Sequence, residues 1–184
     1  MATAPCSPDA ILAFWFDEIT PKQWWGGSPE FDQLIRDRFG ATHRAAKQCE
    51  LYAWRSTSEG RLAEIIVLDQ FSRNIFRGKP EAFAQDGLAL ALAQTAISAG
   101  ADLLLDVHRR AFMYMPFMHS ESRQIHTQSL MLFKAEGMQD QLESAMQHQA
   151  IIERFGRYPH RNAVLGRQST EEELAFLKLP KSSF

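Results

Sequence analysis

Ser58–Phe76 reads SEGRLAEIIVLDQFSRNIF, and its apolar residues recur with the period of a helix. At about 100° per residue Leu62, Ile65, Ile66 and Phe76 share one face, while Val67, Leu68, Phe71 and Ile75 fill much of the remainder. A helix apolar nearly all round has to be covered on nearly every side, so this one should be buried nearly all round. Asp69 and Arg73 interrupt the apolar surface four residues apart, the spacing of an intrahelical ion pair. An unpartnered charge there would be strongly destabilising. A second reading has Arg73, Asn74 and Arg77 lining a polar pocket.

Upstream, Ser7-Pro8-Asp9 places an N-cap and a first-turn proline before a short helix ending near Glu18. Thr20–Pro29, with Pro21, Gly26, Gly27 and Pro29, predicts a loop that carries Trp24 and Trp25. All four tryptophans fall in the first third, which predicts one aromatic packing cluster. A helix over Glu30–Tyr52 follows, with Phe31, Leu34, Ile35 and Phe39 on its stripe and Gly40 weakening its middle.

Downstream, Gly78-Lys79-Pro80 ends the central helix, and an alanine-rich helix runs to near Gly100 with Asp86 beside its apolar face. A helix over Asp102–Met115, with Leu104 and Phe112 inward, should break at Pro116. Ser120 is the N-cap expected for a helix to about Glu136. Met138–Phe155 forms the next, with Leu142, Ala145, Met146 and Ile152 inward and His148 a satisfied core residue or a base. Ser169-Thr170 opens a last helix ending before Pro180. No alternating pattern is long enough for a strand, so the fold expected is all-α, with about eight helices stacked as antiparallel hairpins.

At 184 residues the chain suits one domain over 1–184, with free ends at 1–8 and 181–184. Apolar residues at 45%, charged residues at 23% and a net charge of −2 give no general attraction to nucleic acid. Two cysteines form neither a disulfide framework nor a metal spacing, and no apolar run is long enough to span a membrane. A cytoplasmic protein without a membrane span is expected. Oligomeric state is not set by these features.

The most cationic stretch is Arg154–Gly166, RFGRYPHRNAVLG, which leaves the preceding helix through Gly156 and Pro159. From Glu153 to Arg167 four arginines face one glutamate, which makes the stretch a candidate anion site. His119, Glu121 and His126 fit no standard metal-ligand spacing, so no metal is expected, and no signature asks for a cofactor.

ILAFWFDEITPKQWW (Ile11–Trp25), LDQFSRNIFRGKPEAFAQD (Leu68–Asp86), YMPFMHSES (Tyr114–Ser122) and RFGRYPHRNAVLGRQSTEEELAFL (Arg154–Leu177) together resemble the bacterial family known as domain of unknown function nine-two-four. The resemblance spans nearly the whole chain and implies a tetratricopeptide-like α–α superhelix. It carries over no activity, substrate or catalytic residue.

Two main function classes follow from the residues. One is a binding module in which Arg73, Asn74, Arg77, Arg157, His160, Arg161 and Asn162 hold an anionic small molecule or an acidic peptide end, since a guanidinium fork suits oxyanions. The other is a metal-independent enzyme, of hydrolase or transferase type, in which His160 or His148 acts as base beside Asp69 or Asp86 and the arginines stabilise negative charge. A third possibility is a protein-interaction scaffold with no site.

Overall fold

A computed structural model describes residues 4–180, 182 and 183. Among the described residues the chain is helical with no strand, in keeping with the missing period-two alternation. Among the described residues no helix is long and apolar enough to cross a membrane. By compactness it divides into an N-terminal unit, Met1–Arg77 with Glu81–Pro116, and a C-terminal unit, Gly78–Pro80 with Phe117–Phe184.

In the N-terminal unit, helix α1 (Pro8–Leu12) is capped by Ser7 and continues as a π-helical turn, Ala13–Glu18. Near the ends of the chain the Cys6 amide donates to Thr42 Oγ1 at 2.8 Å and Ser182 Oγ to the Leu177 carbonyl at 3.1 Å. Residues 1–3, 181 and 184 lie outside the described residues.

The segment expected as a loop contains helix α2 (Pro21–Trp25). Its start is a Thr-x-x-Gln capping box, in which Gln23 Oε1 accepts from the Thr20 amide at 2.9 Å, and Gly26 is its C-cap. Trp15, Phe16, Trp24 and Trp25 surround the Phe112 ring at 5.7, 5.5, 5.0 and 6.1 Å between centroids. Trp54 sits apart in the 3-10 turn Tyr52–Ser56.

Helix α3 (Pro29–Lys47) passes through Gly40 unbroken but stops short of Tyr52, because Cys49 takes a left-handed φ of 59°. Leu34, expected inward, is 42% exposed. The central rod is α4 (Ser58–Ile66), a π-helical turn (Val67–Phe71) and α5 (Ser72–Ile75). Leu62, Ile65, Ile66, Val67, Leu68 and Phe71 are fully buried, as the wheel predicts. A π turn takes an extra residue and rotates everything after it, so Phe76 leaves the predicted face and is only half-buried.

Helix α6 (Asp86–Ser98) ends before Gly100, and α7 (Val107–His119) begins later than expected because Asp106 Oδ1 caps it, accepting from the amides of His108 and Arg109. Leu104, expected inward, therefore lies in the preceding 3-10 turn and is 76% exposed. The break expected at Pro116 does not occur. Proline removes one backbone donor, and buried Met115, Phe117 and Met118 on either side hold the turn through to His119.

In the C-terminal unit, α8 (Arg123–Phe133) starts after Ser122 and not after Ser120, whose Oγ is committed to the Ser122 amide at 3.1 Å. Helix α9 (Gln139–Phe155) lies along α8, with Ala145 and Ile152 inward but Met146 turned to solvent. Gly156, at φ 69°, ends it. Helix α10 (Glu171–Phe176) carries the capping box between Thr170 and Glu173. Ile151, Ile152 and Tyr158 form this unit's apolar centre, with Phe155 and Phe176 against it.

Candidate functional site

In the N-terminal unit the cationic side chains of LDQFSRNIFR are engaged with carboxylates. Arg73 grips Asp86 through Nη1 and Nη2 at 2.9 and 3.1 Å. Its Nη1 also donates to the Asp69 carbonyl at 2.7 Å and lies 3.2 Å from Asp69 Oδ1, so the pair expected at four residues is present and shared. Arg77 donates to Asp32 through Nε at 2.6 Å and Nη2 at 2.9 Å, and Asn74 Nδ2 donates to the same carboxylate at 2.9 Å. Burial works against the charge on Asp32, but the bonds from Arg77 and Asn74 outweigh it and hold the carboxyl below its usual range. Asp32 was not legible as a site residue because a single aspartate in a helix's first turn reads as dipole compensation.

In the C-terminal unit the arginine-rich stretch meets a matching set of glutamates. Arg157 donates to Glu173 through Nε and Nη2 at 2.7 and 2.8 Å, and to the Gln168 carbonyl at 2.9 Å. Asn162 Nδ2 reaches Glu173 Oε2 at 3.2 Å and Ser169 Oγ at 3.0 Å. The bonds from Arg157 first, then those from the Thr170 amide and Asn162, pull the Glu173 carboxyl down to about 2 against the opposing effect of burial. Arg167 grips Glu121 at 2.7 and 2.9 Å, and Glu121 also accepts from the Tyr158 amide at 2.7 Å. Arg154 pairs with Glu172 at 2.8 Å.

At the centre of this stretch stands Tyr158, which is fully buried. Its hydroxyl donates to the Met118 carbonyl at 2.5 Å and lies 3.1 Å from His126 Nε2, itself 2.8 Å from the Ser120 carbonyl. The rings of His160, His148 and His126 stand 5.5, 5.9 and 6.2 Å from the Tyr158 ring. The Arg161 guanidinium lies 4.5 Å over that ring, with Nη2 donating to the His119 carbonyl at 3.1 Å. Three imidazoles and one guanidinium thus form a collar around a single phenol.

Burial sets the protonation of the collar. It depresses His126 and pushes His148 down to about 3, with positive neighbours adding to the effect, while the His148 Nδ1–H donates to the Ser144 carbonyl at 2.7 Å. Both rings are neutral at pH 7, so the collar offers N–H donors, ring nitrogens and one permanent cation. Among the described residues no group of three His, Cys, Asp or Glu side chains is placed to hold a metal. Tyr158 went unremarked in the sequence because a tyrosine between basic residues carries no spacing signal.

The Arg73–Asn74–Arg77 set and the Arg157–His160–Arg161–Asn162 set belong to different units, each tied by bonds within its own unit. Of the expected catalytic candidates, the bases His148 and His160 are in the collar, and their acidic partners Asp69 and Asp86 are in the Arg73 network.

No curated protein matches the chain. A solved structure of a protein of unknown function from Agrobacterium tumefaciens is similar over 93% of this chain and 96% of that one, with 38% sequence identity and a TM-score of 0.88. The helical architecture described above is therefore shared with that protein. Residues 11–181 match the family model described as a bacterial protein of unknown function, and the chain belongs to that family, DUF924.

Proposed function

We propose that the chain is a bacterial, cytoplasmic binding module whose C-terminal unit holds a small oxyanion, a phosphate or a carboxylate, against Arg161 and His160 beside the Tyr158 ring. The observation that carries this reading is the collar: a nearly buried arginine stacked on a buried tyrosine among imidazoles. Burying a guanidinium is costly where apolar packing would serve, and perturbed titratable groups gather at functional sites. His160, half-buried, gives the collar an edge that a solute can reach. Arg157 and Asn162 act on this reading as the frame, since both already serve Glu173, whereas Arg73, Asn74 and Arg77 serve Asp86 and Asp32 in the N-terminal unit and are not part of this site. Catalysis by a His–Asp pair has less support, because His148 Nδ1 is committed to a helix carbonyl and Asp69 to Arg73. The two free cysteines, Cys6 and Cys49, accord with a reducing compartment.

Thermal unfolding in millimolar phosphate, nucleotides and dicarboxylates tests the reading. A ligand at ~100-fold excess over Kd stabilises the wild type by about 2.7 kcal/mol. His160→Ala and Arg161→Lys should lose that response while the His160→Ala protein still unfolds cooperatively. A wild type indifferent to every anion overturns the proposal.

A further inference from the structure

We propose that the collar around Tyr158 is a proton-operated latch: in mild acid, charging the imidazole of His148 or His126 drives Tyr158 off the Met118 carbonyl and opens the C-terminal unit. Tyr158 ties together the end of α7 through the Met118 carbonyl, α8 through His126 and α9 through the edge contact with His148. Its own amide is bound by Glu121 in the α7–α8 connection. One ring therefore closes much of the unit, and the groups around it decide whether it stays.

Those groups are arranged against an added positive charge. His126 faces His119, Glu153 and Arg161, and His148 faces His119, His126 and Arg161. His160 and Arg161 also flank the Tyr158 ring. Nearby acids are poorly placed to compensate: Glu121 is held by Arg167, and Glu153, which acts on His126, is a 55% exposed side chain 3.8 Å from Arg123. His126 would take its proton at Nδ1, a buried atom with no hydrogen-bond partner among the described residues. A second cation beside Arg161 in this apolar setting favours any conformation that returns the ring to water.

The sign follows from burial. With His148 at about 3 in the folded unit against an ordinary 6.5, the neutral ring favours the closed form, fully so above pH 6.5. Closure weakens as pH falls from 6.5 toward 3. Between pH 7 and 5 the equilibrium for opening should rise about twentyfold from His148 alone. Any control over anion binding rests on the reading given above, whereas the latch itself does not.

Amide hydrogen exchange at pH 7, 6 and 5, corrected for intrinsic rates, tests it on the full chain at Gly156 and Arg161, whose amides bond to the Ile152 and Tyr158 carbonyls. The latch requires protection there to fall about twentyfold in the wild type and less than threefold in His148→Gln. Constant wild-type protection overturns it, as does a variant that loses protection as steeply as the wild type. Should His148→Gln not fold, the ring titration of His148 by NMR replaces it, and a ring that charges near pH 6.5 without loss of protection overturns the latch. Calorimetry with inorganic phosphate separates the two readings. Acid-driven loss of protection without phosphate binding at pH 7.5 supports the latch and removes the anion site. Equal binding at pH 7.5 and 5 with constant protection does the reverse.

Discussion

Glu173 accepts both Nε and Nη2 of Arg157, at 2.7 and 2.8 Å, and is 2% exposed while doing so. A bidentate fork onto a carboxylate that also caps its own helix through the Thr170 amide fastens α10 to the stretch after α9. The acidic first turn and the arginine sixteen residues before it are one joint.

Removing either partner should loosen that joint. Glu173→Gln and Arg157→Ala are each expected to lower the melting temperature by about 5 °C or more in ligand-free protein, read by circular dichroism. The carboxyl is depressed to about 2 from 4.5, so its contribution is full above pH 4.5 and is lost as pH falls toward 2. A Glu173→Gln protein with an unchanged acid limb would refute the assignment.

Two helical glycines should respond oppositely to alanine. A Cβ on Gly60 would sit 2.0 Å from the Trp54 carbonyl oxygen, a backbone atom that cannot swing aside, whereas at Gly40 the nearest neighbour is Arg44 Nη1 at 3.8 Å. Gly60→Ala should destabilise by about 2–3 kcal/mol or more, and Gly40→Ala should stabilise by about 0.5–1 kcal/mol through helix propensity. Urea unfolding of both variants against the wild type decides.

How far the sequence was legible follows from these elements. The central rod announced itself because Leu62–Phe71 carries apolar residues nearly all round, a pattern a covered helix satisfies. The π turn within it did not, because nothing in VLDQF marks an extra residue per turn, and Phe76 was misplaced as a result. α2 was hidden by Pro21 and Gly26, which are its first residue and its C-cap and not loop. In the candidate site, Asp69–Arg73 was visible as a local spacing. Arg77–Asp32 and Arg167–Glu121 were not, since their partners lie 45 and 46 residues away.

Tyr158→Phe isolates the hydroxyl at the centre of the collar. It removes the donor to the Met118 carbonyl and the contact with His126 Nε2 while keeping the ring. A buried carbonyl left without its donor costs about 1–3 kcal/mol. Denaturant unfolding should show that loss, and a neutral outcome would mean that the phenol packs without holding.

His43 supplies the last prediction, in the N-terminal unit. Its Nε2 lies 2.8 Å from Ser72 Oγ, whose own proton goes to the Leu68 carbonyl at 2.6 Å, so the ring is the donor and Nε2 carries hydrogen. Burial first, then Lys47 and Arg44, push the ring down to about 4 from 6.5. The unfolded chain thus binds a proton that the folded one refuses, and folding is favoured above pH 6.5 and penalised progressively as pH falls from 6.5 to 4. The difference amounts to about 3 kcal/mol across that window. All four tryptophans, Trp15, Trp24, Trp25 and Trp54, belong to this unit, so their fluorescence follows its unfolding apart from the histidines around Tyr158. In urea titrations at pH 7 and 4.5, wild type should lose most of that amount. His43→Gln keeps a donor for Ser72 but does not titrate, so its stability should be lower at pH 7 and change far less by pH 4.5. Equal slopes for the two proteins would place the acid sensitivity of this unit elsewhere.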